Sequence, residues 1–199
     1  MKRIAATLSA ASLLAGAATA APRVGQPAPD FSARTAEGQT VSLSDYEGKK
    51  VVLEWTNNEC PFVKKHYDSG NMQALQRRAT ADGTVWLSVI SSAPGKQGHV
   101  SGDRATELSA ERKAAPTAIL LDEDGEVGQL YAAKTTPHMF VIDETGTLRY
   151  AGAIDTIPSA DIDDIPRAEN YVSAALASLR NDQRVVTTQT QPYGCSVKY

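Results

Sequence analysis

Apolar residues along this chain fall into short runs whose spacing switches between two and about 3.6 residues, with breaks rich in glycine, proline and small polar side chains. After residue 20 the alternating stretches "DFSART" and "QTVSL" flank "AEG", which predicts an N-terminal β-hairpin. "KKVVLEWT" follows as a β-branched strand ending in "NNE", residues suited to a turn and to the start of a helix. Pro61 fits the first helical position, where its missing N–H costs nothing, so Cys60 is expected at a strand-to-helix junction. The helix should break at "DSGN" and resume with Met72, Leu75 and Ala79 on one face.

"TVWLSVISS" is the next predicted strand. Between Ser92 and Ala115 lies a loop punctuated by glycine and proline, then the mostly polar helical piece "ATELSAERKAA", which together look like an insertion. Three strands are predicted after it, "PTAILLD", "HMFVID" and "TLRYAGA", the last two joined by "ETG" as an antiparallel pair. "AENYVSAALASLR" should close the core through a face made of Tyr171, Ala174, Ala175 and Leu179. A Thr- and Gln-rich tail, 181–199, then leads to "PYGCSVKY" and is expected to be mobile. This order gives an α/β fold, a mixed central sheet flanked by helices, in one domain over 21–180.

Composition adds that 42% hydrophobic residues in a chain of 199 suffice for one ordinary core. The first twenty residues stand apart: "MKR", an alanine-rich apolar run, and Ala18-Thr19-Ala20 at its end form a secretory signal pattern, with cleavage expected after Ala20. The run is too short for a membrane span, so an exported or periplasmic protein with no membrane attachment is expected. The net charge is −3 without any basic block, which offers nucleic acid no foothold.

Only two cysteines occur, Cys60 and Cys195, and in an oxidising compartment they could pair. Closing so long a loop stabilises by roughly 4 to 5 kcal/mol in the chain-entropy model, so a purely structural staple is one reading. A helix N-terminus favours thiolate, which makes Cys60 a candidate nucleophile as well. Glu59 opposes that effect, while Lys64, Lys65 and His66, about one turn on, are expected to offset it. His66, His99 and His138 are most simply loop or packing residues; a Cu(I) site from Cys60, Cys195 and His138 is the alternative, and no metal or cofactor is assigned. Trp55 and Trp86 read as core aromatics, and "DIDDIP", with Asp161, Asp163 and Asp164, as a solvated acidic turn lacking the calcium-loop pattern.

"VGQPAPDF", "VVLEWTNNECPF" and "TTPHMFVID" together resemble the peroxiredoxin-like redoxin (AhpC/TSA-type) branch of the thioredoxin superfamily, over about Val24 to Leu179. The resemblance implies a thioredoxin-like fold with an N-terminal hairpin and a helical insertion. It also implies a cis Thr136–Pro137 bond facing the active cysteine, and a thiol-dependent oxidoreductase. Cys60 would be the nucleophile and Cys195 the resolving thiol, with Thr56, Asn57, Pro61, Thr136 and Pro137 around the substrate. A small hydroperoxide is the favoured substrate and a protein disulfide the next, with a thioredoxin-type protein as reductant. Val63 stands where thioredoxins carry their second cysteine, which excludes exchange within one helical turn. Leu53 and Asn57 replace the proline and threonine that peroxiredoxins place before the cysteine, and Arg104 and Arg112 are the candidates for the arginine that supports the thiolate there. A non-catalytic binding module with a locked Cys60–Cys195 bridge is the reading from a different class.

Overall fold

The computed structural model describes residues 21–199; the predicted signal segment lies outside the described residues. Strands β1 (Ser32–Thr35), β2 (Thr40–Ser42), β3 (Val51–Trp55), β4 (Val85–Ile90), β5 (Ala118–Leu121), β7 (His138–Ile142) and β8 (Leu148–Gly152) form one seven-stranded sheet in the order β2-β1-β5-β4-β3-β7-β8. β3 lies in the interior of the sheet, parallel to β4 and antiparallel to β7. All five of its residues are buried because both faces of the sheet are covered, and this explains its nearly continuous apolar run.

Alternate residues supply two cores. Val51, Leu53 and Trp55 pack with Leu87, Val89, Phe140 and Tyr131 on one face; Val52, Trp86, Met139, Val141 and Tyr150 meet the helices on the other. Both tryptophans are fully buried, as their strand positions predict.

Helix α1 (Pro61–Asp68) and helix α2 (Asn71–Ala81) are separated by Ser69 and Gly70, the glycine taking φ +74° where the chain turns. Met72, Leu75 and Ala79 are buried on α2, as their spacing predicts. The expected insertion is more than a surface appendage. Its helix α3 (Gly102–Glu111) starts three residues before the "ATELSAERKAA" segment because Ser101 caps it, the Ser101 hydroxyl accepting from the Arg104 N–H at 3.3 Å. The following β5 pairs parallel with β4 and antiparallel with β1, so this segment ties the N-terminal hairpin into the sheet.

Helix α5 (Tyr171–Arg180) buries Val172, Ala175 and Leu176, while Ala174 is exposed. Three residues of the predicted face, Tyr171, Ala175 and Leu179, do pack on the core, and Val172 and Leu176 take the part expected of Ala174. The acidic segment Ile162–Arg167 is a 3-10 helix rather than an open turn: Asp161 caps it and Asp164 binds Ser159 and Arg167. Unforeseen elements are the short helix α4 (Glu126–Leu130) and a separate two-stranded ladder, β6 (Thr135–Thr136) with β9 (Cys195–Ser196). No helix among the described residues is long and apolar enough to cross a membrane.

The tail beyond Arg180 is docked along the molecule, which corrects the expectation of a mobile segment. Val185 is buried, Thr190 bonds the backbone of Ala151 and Ala153, β9 pairs with β6, and the Tyr199 hydroxyl donates to the Ala133 carbonyl at 2.9 Å. Glycines receive it. A Cβ on Gly152 would fall 2.2 Å from Thr190 Oγ1, and one on Gly128 would fall 2.5 Å from the Tyr199 ring.

Candidate active site

Cys60 stands at the N-cap of α1, between the end of β3 and Pro61 at the first helical position, as the sequence predicts. The turn before it is rigidly held. Asn57 accepts the Glu59 N–H at its side-chain oxygen (2.9 Å), its amide donates to the Gln97 carbonyl (3.1 Å), and its backbone carbonyl accepts the Cys60 N–H (3.1 Å). Asn57 is therefore committed to loop structure, and both ends of its amide are turned away from any substrate at the sulfur.

Opposite lies the Thr136–Pro137 peptide, which is cis, as the resemblance implies. The Cys60 thiol donates to the Thr136 carbonyl at 3.1 Å. The tail reaches the same residue: β9 runs antiparallel to β6 with Cys195 directly across from Thr136, and the Cys195 thiol is a hydrogen-bonding neighbour of Cys60. Both cysteines are free thiols. Cys60 is completely buried, with the tail strand over it.

Burial pushes the Cys60 thiol up, but the Cys195 side chain, the Thr136 side chain and the backbone N–H groups of Val63 and Cys195 are donors aimed at the sulfur, and their sum leaves it below the ordinary cysteine value. Thr136 Oγ1 is buried and makes no hydrogen bond with the thiol protonated, so its proton is available to the sulfur when Cys60 ionises. Cys195 moves the other way, pushed up to about 11 by burial and by the adjoining Cys60. The first proton to leave the pair therefore comes from Cys60.

The expected helpers are elsewhere. Lys65 and His66 face a buried carboxylate, Asp155, and Lys64 is exposed. Arg104 lies on the surface paired with Glu107 and Glu111. Arg112 donates to the Asn58 carbonyl at 2.8 Å and stacks over the Tyr67 ring, so it braces the turn and does not contact the sulfur. Thr56 lines a cavity of about 40 Å³ with Tyr67, Ser88 and Arg112, and Cys60 is not among its walls. Thr136 and Pro137 are thus brought to Cys60 and Cys195, Asn57 touches Cys60 through its backbone carbonyl, and Thr56 lines a different cavity.

The copper alternative has no geometric support, because His138 does not join the two cysteines in a ligand set. Its Nδ1 accepts from the Lys134 N–H, its ring stacks on Phe140, and burial with the Lys134 charge lowers its pKa to about 3. Among the described residues no group of three or more His, Cys, Asp or Glu side chains is gathered as a metal would require.

One residue escaped the sequence reading although "VVLEW" carried its signal, a single charge inside an apolar strand. Glu54 is fully buried on the α1 side of β3 and accepts from Trp86 Nε1 (2.7 Å), Tyr67 (2.8 Å), Ser88 (3.0 Å) and Gln76 (3.1 Å). Burial raises its pKa against the opposing effect of these four donors. Through Tyr67 the network holds α1 to the sheet and thereby fixes the height of Cys60 above β3.

Residues 24–151, more than half of the chain, match the AhpC/TSA family. The thiol peroxidase of Streptococcus pneumoniae (strain ATCC BAA-255 / R6) is 30% identical over 168 residues, covering 78% of this chain and 90% of the relative. The thiol-disulfide oxidoreductase ResA of Geobacillus thermodenitrificans is 27% identical over 133 residues, with 63% and 67% covered. An uncharacterized conserved protein from Geobacillus kaustophilus has the same fold, with a TM-score of 0.74 at 25% identity over 89% of this chain and 92% of that one. The chain belongs to the AhpC/TSA family, in the redoxin branch of the thioredoxin superfamily, and is a thiol-dependent oxidoreductase.

Proposed function

We propose that Cys60 and Cys195 form one reversible dithiol–disulfide couple, with Cys60 as the attacking thiolate and Cys195 as the thiol that resolves it. The observation carrying this reading is the pairing of Cys195 with Thr136, which sets the tail thiol against the lowered-pKa thiol of Cys60. A substrate disulfide fits the couple best. The Cys60 thiolate attacks one sulfur, the other leaves as a thiol, and Cys195 then displaces the first, leaving a Cys60–Cys195 disulfide and a fully reduced substrate. The turn residues support this choice over peroxide chemistry: Asn57 and Arg112 are occupied in bracing the loop and supply no donor at the sulfur.

A second reading keeps the same pair with a hydroperoxide as oxidant, favoured by the coverage of the thiol peroxidase relative. Cys60 takes the terminal oxygen to become a sulfenic acid while the alcohol leaves, and Cys195 condenses with it to give the disulfide and water. In either case a dithiol protein of the thioredoxin type is the fitting reductant, since two electrons must return to the couple. The N-terminal segment, with its apolar run and Ala18-Thr19-Ala20 end, supports export to the periplasm or beyond.

Single-turnover mixing of the reduced protein with an aromatic disulfide or with hydrogen peroxide tests both readings. Cys195→Ser should stall with the substrate thiol, or a sulfenic acid, on Cys60. A Cys60→Ser variant that reacts as fast as the natural protein sinks the proposal.

A further inference from the structure

Beside α1, three ionisable side chains are buried together. Lys65 and His66 are adjacent on the helix that Cys60 begins, and Asp155 follows β8. Lys65 Nζ lies 3.6 Å from Asp155 Oδ2 and donates to the Ile157 carbonyl at 3.1 Å. The Asn71 amide donates to His66 Nδ1 at 2.9 Å, so the ring hydrogen sits on Nε2, which faces Asp155 Oδ2 at 3.8 Å and the Tyr193 hydroxyl oxygen at 3.5 Å. Burial and the Lys65 charge, with Asp155 opposing, lower the His66 pKa to about 4, so the ring is neutral. The Tyr193 hydroxyl completes the arrangement by donating to Asp155 Oδ1.

Tyr193 belongs to the tail, two residues before Cys195. Its ring meets Phe62 edge-on with centroids 5.9 Å apart, and Lys65 Nζ lies 5.8 Å from its ring centre. The residue is thus gripped by about one turn of the Cys60 helix, through Phe62, Lys65 and His66. Burying a lysine, a carboxylate and a histidine is costly unless they serve each other, and here one carboxylate oxygen, Oδ1, accepts both the Ile157 N–H at 3.0 Å and the tail hydroxyl of Tyr193.

Building on the reading of Cys60 and Cys195 as one redox couple, we propose that Tyr193 is a positioning residue for the resolving step, latched by its hydrogen bond to the Lys65- and His66-flanked Asp155 so that Cys195 is delivered to the Cys60 sulfur. When Cys60 carries a substrate thiol, β9 must leave β6. Relatching Tyr193 draws the tail back and raises the effective concentration of the Cys195 thiol at the mixed disulfide.

The test is an equilibrium with reduced and oxidised glutathione, in which Cys60–glutathione plus the Cys195 thiol gives the closed disulfide plus glutathione. The ratio of closed to mixed forms, read by intact mass, measures that effective concentration. Tyr193→Phe keeps the ring and removes the hydroxyl; because the lost bond goes to a charged group, the ratio should fall on the order of tenfold to a hundredfold. Asp155→Asn should lower it similarly, and the double variant should fall no further than the larger single effect. Tyr199→Phe, which removes a tail hydroxyl bonded only to a neutral carbonyl, should change the ratio by less than Tyr193→Phe. A Tyr193→Phe protein that closes as well as the natural one overturns the latch. A natural protein that forms only the mixed disulfide overturns the underlying couple, so the two failures are told apart.

Discussion

Replacing Gly194 by alanine separates tail docking from the chemistry of the cysteines. Gly194 has φ +135°, in the region that side chains avoid, and an added Cβ would stand 2.0 Å from the Thr136 carbonyl oxygen and 2.7 Å from its carbon. Both obstacles are backbone, pinned by the neighbouring Pro137, so the tail has to give way. Backbone strain of this kind costs about 1–3 kcal/mol, which loosens the closed tail by roughly fivefold to a hundredfold, with the steric overlap adding to it. In the natural protein Cys60 is fully buried. Alkylation of Cys60 by iodoacetamide, followed by site-resolved peptide mass spectrometry, should therefore accelerate in Gly194→Ala by at least the lower of those factors. The comparison belongs at alkaline pH, where Cys60 is ionised in both proteins, because an open tail also withdraws the Cys195 donors and raises the Cys60 pKa. Alkylation of the variant within about twofold of the natural rate under those conditions would refute the claim that the tail seals the sulfur.

Four further outcomes are expected. Cys195→Ser removes the thiol hydrogen bond that lowers the Cys60 pKa but leaves a hydroxyl, whereas Cys195→Ala removes the donor outright; thiolate absorbance should titrate at higher pH in Cys195→Ala, and an unchanged curve would place the cause elsewhere. Glu54 has a raised folded-state pKa, so its contribution to stability is present below its ordinary value of 4.5 and lost as pH rises through the raised one; Glu54→Gln should erase that slope from melting temperature against pH. The same substitution turns an amide NH2 donor toward groups that are themselves donors, among Trp86, Tyr67, Ser88 and Gln76, and should cost about 1–3 kcal/mol in denaturant unfolding near neutral pH. Arg104→Ala touches only exposed pairs on α3 and should leave single-turnover rates with disulfide or peroxide unchanged.

The sheet and Cys60 were legible because their signals are local. β-branched runs mark strands buried on both faces, Pro61 marks a helix start, and Gly70 marks the break between α1 and α2. The Thr136–Pro137 geometry came from resemblance and not from any property of the isolated dipeptide. Proximity in sequence misplaced Lys65 and His66, since five and six residues along a helix of 3.6 per turn rotate their side chains by roughly 140° one way and about 120° the other, away from the cap sulfur. The tail was illegible for a different reason. Its docking depends on backbone pairing between Cys195 and Thr136, on glycine surfaces at 128, 152 and 194, and on a tyrosine meeting a carboxylate from a distant strand end. None of these leaves a periodic pattern in the segment itself. Only "PYGCSVKY", with a glycine beside the cysteine and aromatics near both ends, marked it as something other than a linker.

The central claim is that Cys60 and Cys195 are two halves of one redox centre. Oxidising the reduced protein with one equivalent of substrate, then mapping linked peptides before and after treatment with a thioredoxin-type donor, tests it directly. The expected result is a Cys60–Cys195 cross-linked peptide that forms in near-stoichiometric yield and disappears on reduction. Oxidation of Cys60 with Cys195 left as a free thiol would contradict the account, as would a cross-link that the donor cannot open.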